Sequence, residues 1–265
     1  MKPETRQALQ EALAMARGED VAGHLALITR LQDQAFLSLL DSEEDYQRAM
    51  QFRLRVAQVL EALGKNPAPT ARHVLVELTD SELFLAEEDR VLALIRASAN
   101  VRPPPPPLID LWDRYSQPED GFTPTTIPVL VVNGHPDALA LLERKLVEPA
   151  HDDGVKLAWM HTSILTHRND VPLLVLCGRL LGETLPETLR APLVESLFDY
   201  RPGEWYRPTV PHSAPRLEDA SPETWTEIEK LGNLALTTIA LSKTQEDAVR
   251  GRLAEIVKLR ERQSG

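Results

Sequence analysis

Along most of the chain, apolar side chains recur every three or four positions, the period of an amphipathic helix. Residues 3–17 put Ala8, Leu9, Ala12, Leu13 and Ala16 on one stripe, and Gly18 stops the pattern. A second helix is predicted over 20–40, with Leu25, Ile28, Leu31, Ala35 and Leu39 facing one way. Ser42, with Asp45 in the acidic place of a capping box, opens a third, which runs through Phe52, Val56, Val59, Leu60 and Leu63 to Gly64, read as the residue just past its end. After the turn Asn66-Pro67-Ala68-Pro69 the spacing predicts shorter helices over 70–79 and 87–99. Five consecutive prolines, Pro103 to Pro107, then lead into a helix over 107–115 carrying Leu108, Leu111 and Trp112. Leu185, Leu189, Leu193 and Leu197 mark another over 185–200. Ser221 as cap and Pro222 in the first turn open a helix that reaches about Leu241, and a last one starts near Thr244 with Val249, Leu253, Ile256, Val257 and Leu259.

The middle of the chain repeats itself loosely. The blocks Leu108-Ile109-x-Leu111-Trp112, Ala138-Leu139-x-Leu141-Leu142 and Leu173-Leu174-x-Leu176-Cys177 start about 30 and 35 residues apart, each after a Pro/Asn/Asp turn. A period of this size built from helix–turn–helix units is the mark of an α-solenoid, in which no unit can bury its apolar face alone. The string Val129-Leu130-Val131-Val132-Asn133-Gly134-His135-Pro136-Asp137-Ala138-Leu139-Ala140-Leu141-Leu142 resembles the turn between paired helices of HEAT-like repeats, of the short bacterial kind. The resemblance implies an all-α, right-handed superhelix of about ten to thirteen helices and a concave binding face, with no catalytic residues to carry over. Members of that family range from scaffolds and chaperones to pigment-protein lyases and DNA-repair glycosylases. On this reading residues 1–265 form one helical-repeat domain: N-terminal helices over 1–65, repeats over 70–200, a proline-rich arm over 201–220 and a helical hairpin over 221–263.

A competing pattern lies over 125–200. Pro128 to Leu142 also reads as the first strand and helix of a response-regulator receiver, with Val171 to Cys177 as its third strand. Receiver chemistry needs clustered carboxylates to hold Mg²⁺ and accept phosphate. This chain has Asn133-Gly134 and Cys177 at those places, so a receiver here would be degenerate.

Composition narrows the function more than the fold. The chain has 265 residues, 43% hydrophobic and 26% charged, with only 5% aromatic, which suits a core packed from Leu and Ala. Its formal net charge is −11 and its pI about 5.2. That charge disfavours phosphate backbones and anionic membranes and leaves a basic protein or peptide as the better-matched partner. Thr123 to Gly134 carries no charge but is interrupted by prolines, so no membrane span is expected. With the single cysteine Cys177, neither an internal disulfide nor a thiolate metal cluster can form, and a cytoplasmic, bacterial protein is the expectation.

No catalytic constellation stands out. The histidines His24, His73, His135, His151, His161, His167 and His212 never pair at i, i+4, and phosphate-cradling glycine loops and a Gly-x-Ser-x-Gly elbow are absent. His151-Asp152-Asp153 reads as a helix-capping loop rather than a cation site, and Cys177 as a small buried hydrophobe rather than a nucleophile. No catalytic residue, metal ligand or cofactor is therefore assigned. Two segments keep a binding reading. The proline run is either a rigid spacer or a polyproline II ligand. The arm over 201–220 offers Trp205, Tyr206, Arg207 and His212 as candidate binding residues, unless its aromatics fold back onto the helices.

These readings predict a non-enzymatic interaction scaffold that takes a protein or peptide. The alternatives are a groove enzyme of lyase or glycosylase type, an acidic neutralising partner of a basic protein, and the degenerate receiver.

Overall fold

The computed structural model describes residues 1–41, 55–116, 123–148, 169–198 and 216–264. Among them are fourteen α-helices and no strand, so the fold is all-α. Pro128 to Asn133 and Val171 to Cys177, which a receiver would need as its first and third strands, are helical, against that reading.

Two compact units divide the chain, Met1–Val129 and Leu130–Gly265. In the first, α1 (Pro3–Arg17), α2 (Val21–Leu31), α3 (Gln34–Leu40), α4 (Arg55–Lys65), α5 (Pro69–Glu77), α6 (Glu82–Leu85), α7 (Glu88–Ser98) and α8 (Pro106–Arg114) follow one another. Helices α1, α4 and α7 form one row, α1 packed on α4 and α4 on α7; α2 packs on α5 beside it, and α1 and α4 lead through short turns into α2 and α5. Helix α9 (Thr123–Asn133) straddles the unit boundary. In the second unit α10 (Pro136–Val147), α11 (Val171–Arg179) and α13 (Pro222–Thr238) pack in series, while α12 (Glu187–Phe198) packs on α14 (Lys243–Ser264) and α13 on α14.

Local chemistry sets most helix ends. Asp20 accepts from the backbone N–H groups of Ala22 and Gly23, Asp33 from that of Ala35 (2.9 Å), and Ser221 from that of Thr224 (3.2 Å). Prolines open α1, α5, α8, α10, α11 and α13, where a missing N–H costs nothing. Gly134 takes φ +64° between α9 and α10, a left-handed turn that glycine enters without a Cβ penalty.

Three expectations change. The helix over 20–40 breaks at Gln32, because Asp33 caps a new start at Gln34. Its buried stripe is rotated: His24, Leu27 and Leu31 lie in the core, whereas Leu25 is 53% exposed. His24 Nδ1 meets the Thr70 hydroxyl on α5, while its buried Nε2 has no partner among the described residues. Gly64 lies inside α4 rather than past its end, and a Cβ there would stand 2.1 Å from the Ala97 carbonyl oxygen of α7. The glycine therefore serves the close crossing of α4 and α7, not a left-handed cap.

The core of the first unit is apolar with a few satisfied polar groups. Trp112 is fully buried and donates from Nε1 to Ser98 Oγ (2.8 Å), whose hydroxyl donates in turn to the Ile95 carbonyl. Arg90, 5% exposed, binds Asp41 at the C-terminal end of α3 through Nε and Nη2 and also reaches the Leu83 carbonyl. In the second unit Trp225 donates to the Leu217 carbonyl (2.9 Å), and one π turn, closed by Leu185 N–H on the Leu180 carbonyl, follows α11.

Candidate functional site

The site is built where two packed helices of the first row end. Helix α1 stops at Arg17 and α4 at Lys65, and the turns after them, 18–20 and 66–68, lie side by side. Asn66 fastens one turn to the other: its Nδ2 donates to the Ala16 carbonyl (2.8 Å) and to the Gly18 carbonyl (2.7 Å), and its Oδ1 accepts from Ala68 N–H (2.9 Å). Two carbonyls that the end of α1 leaves without helical partners are satisfied in this way.

Beside this strap lies a groove of about 420 Å³ lined by Arg17, Glu19, Gln58, Glu61, Ala62, Lys65, Asn66 and Pro67. Gln58, Glu61, Ala62 and Lys65 follow i, i+3, i+4, i+7 and so share one face of α4. Arg17 and Glu19 supply the opposite wall from the end of α1. Lys65 Nζ holds Glu61 at 2.5 Å, an exposed pair worth at most about 1 kcal/mol. The groove is polar, charged with both signs and open, and its lining offers no nucleophile or paired base. Its lining can recognise charge and hydrogen-bonding groups.

The remaining candidates distribute as follows. Trp205, Tyr206, Arg207 and His212 lie outside the described residues, as do His151-Asp152-Asp153, His161, His167 and Ser42. The described end of the arm is anchored: Asn169 Nδ2 donates to the Arg216 carbonyl (3.0 Å), and Thr224 Oγ1 to the Asn169 carbonyl (3.1 Å). The proline run is absorbed into the first unit. Pro106 and Pro107 begin α8, Pro104 is buried, and Arg72 donates to the Pro103 carbonyl. Cys177 is fully buried on α11, and desolvation pushes its thiol up to about 12, so the thiolate is suppressed at neutral pH. His135 caps α10, its Nδ1 accepting from Asp137 N–H. No group of three or more His, Cys, Asp or Glu among the described residues could hold a metal ion. Nor is any described helix long and apolar enough to cross a membrane.

The groove residues escaped the sequence reading because each, taken alone, reads as solvated surface. Their only signal was the polar i, i+3, i+7 stripe on α4 beside an asparagine in a turn. That stripe gains meaning only when α1 is known to end next to it.

No family model, no curated protein and no solved structure matches the chain.

Proposed function

We propose that this protein is a non-enzymatic interaction scaffold of the α-solenoid, HEAT-like kind, binding a protein or peptide, with a basic partner favoured. The observation that supports the reading is the packing of α1 on α4, α4 on α7 and α2 on α5 in the first unit, with an open groove where α1 and α4 end. Stacked helix pairs of this type generate extended surfaces suited to a partner chain rather than an enclosed reaction chamber. Two further points agree. The chain's one thiol is deep in a leucine cluster with its thiolate suppressed, and the net charge of −11 favours basic partners at encounter.

The test is affinity capture from native lysate with the tagged full chain at low and moderate salt, beside a variant lacking residues 203–215. The deletion stops before Leu217, which is buried and accepts the Trp225 N–H. A single stoichiometric protein partner is expected, and its loss in the variant would put Trp205, Tyr206, Arg207 or His212 at the contact. Retention of a small molecule with no protein would overturn the scaffold reading.

A further inference from the structure

We propose that α14 joins two copies of this chain, its solvent face docking antiparallel on the same face of a second copy. The contact is independent of whatever the scaffold binds.

Helix α14 is fastened to its own unit by one side only. Val249 and Ile256 are fully buried on that side, where the helix packs on α12 and α13. At about 100° per residue, the positions turned away from them are Thr244, Asp247, Gly251, Ala254, Lys258 and Glu261, and all six are exposed. They follow one another in steps of three and four over about 25 Å of helix, the spacing of a coiled-coil seam. Val257, 51% exposed, borders the seam.

The seam is small at its centre. Gly251 stands in the interior of the helix, where glycine costs stability relative to alanine. Its own unit supplies no reason for it: a Cβ there would meet nothing within 4 Å. Beside Ala254, the glycine leaves room for a second helix to come close, room that no contact within the unit uses.

Charge then selects the occupant. Asp247 lies one turn before Gly251, and Lys258 one turn after Ala254. Neither side chain has an ion pair or hydrogen bond among the described residues. The flanking Arg250 and Glu255 are already paired along the helix with Glu246 and Arg252. Two identical helices related by a twofold axis make reciprocal contacts. An antiparallel pair centred between Gly251 and Ala254 lays Gly251 on the partner's Ala254, and Asp247 on the partner's Lys258, each contact occurring twice. A parallel pair in register would instead set Asp247 on the partner's Asp247 and Lys258 on the partner's Lys258. The order of charges therefore fits a reversed second copy. One helix face is a small interface, so the dimer is weak and reversible.

Sedimentation velocity of the full chain over about 0.01–1 mM should show monomer–dimer exchange. Asp247→Lys alone and Lys258→Asp alone each turn two attractive contacts into two repulsive ones, and each should weaken the dimer about tenfold or more. The double variant Asp247→Lys, Lys258→Asp should dimerise as the wild type does, because the exchange restores both contacts. An equimolar mixture of the two single variants should dimerise more strongly than either alone, since lysines of one chain then meet aspartates of the other. Ala254→Arg should abolish the dimer by filling the centre. The substituted positions are exposed, so circular dichroism should show unchanged helix content. A wild type that stays monomeric to about 1 mM would overturn the proposal. So would single variants that dimerise undiminished, or a double variant and a mixture that fail to recover.

Discussion

Each unit has a glycine at a helix crossing, and the two glycines meet different neighbours. In the first unit a Cβ on Gly64 would strike the backbone of α7, 2.1 Å from the Ala97 oxygen and 2.9 Å from its carbonyl carbon. In the second, a Cβ on Gly232 would meet only the Leu253 side chain of α14, 2.9 Å from Cδ2. Backbone cannot step aside without moving a helix, whereas a leucine can change rotamer. The same contrast runs through the ion pairs. Arg90 and Asp41 tie α7 to α3 with side chains 6% and 22% exposed, while Arg179 and Glu143 tie α11 to α10 at 52% and 24%. The first unit is locked by contacts that tolerate little adjustment; the second has more slack at the equivalent places.

Gly64→Ala should therefore destabilise the first unit by about 3 kcal/mol, the upper end for overpacking. Gly232→Ala should stay within about 1 kcal/mol of wild type, because a better helix former offsets the leucine's shift. Denaturant unfolding combined with amide hydrogen exchange reads the two units apart; equal costs would erase the contrast. Asp41→Ala strands Arg90 almost without solvent and should cost about 2–3 kcal/mol, discounted for the partial exposure of Asp41. Glu143→Ala should cost less than about 1 kcal/mol. A flat result for Asp41→Ala in thermal melts would mean that the Arg90 pair contributes no rigidity.

Asn66→Ala removes three hydrogen bonds across two turns and should lower stability by about 2 kcal/mol. Asn169→Ala removes the bond to the Arg216 carbonyl, worth about 1 kcal/mol. Exchange protection at residues 16–20 should fall in the first variant, and at residues 216–219 in the second.

The smallest effect is confined to alkaline pH. Unfolded, the Cys177 thiol titrates near 9.0; folded, burial holds it to about 12. As pH rises past 9 the unfolded chain loses this proton and the folded chain keeps it, so rising pH favours unfolding. Between pH 9 and 10 the wild type should lose about 1 kcal/mol more stability than Cys177→Ala. Iodoacetamide at pH 8 should label the thiol only in denaturant. Rapid labelling of the native protein would contradict the buried placement.

Helices were legible wherever apolar spacing and end signals agreed. Residues 3–17 and the Ser221-Pro222 start of α13 needed nothing beyond their own neighbours in the chain, because capping and the first-turn proline are local chemistry. The buried face of α2 was not legible. That helix is apolar nearly all round, so periodicity alone cannot choose between the Leu25 and Leu27 sides, and a histidine was counted as polar although Thr70 satisfies one of its nitrogens.

By itself, the sequence determined the helical class, most helix starts, the inert character of Cys177 and the acidic surface, since each follows from composition, period or residues within a turn of one another. Only the tertiary structure decided that Gly64 faces Ala97, that Asn66 reaches back across fifty residues to Ala16, and that Glu19 and Glu61 share a groove. Those outcomes depend on which helix lies beside which, and pairing between distant segments leaves no periodic trace along the chain.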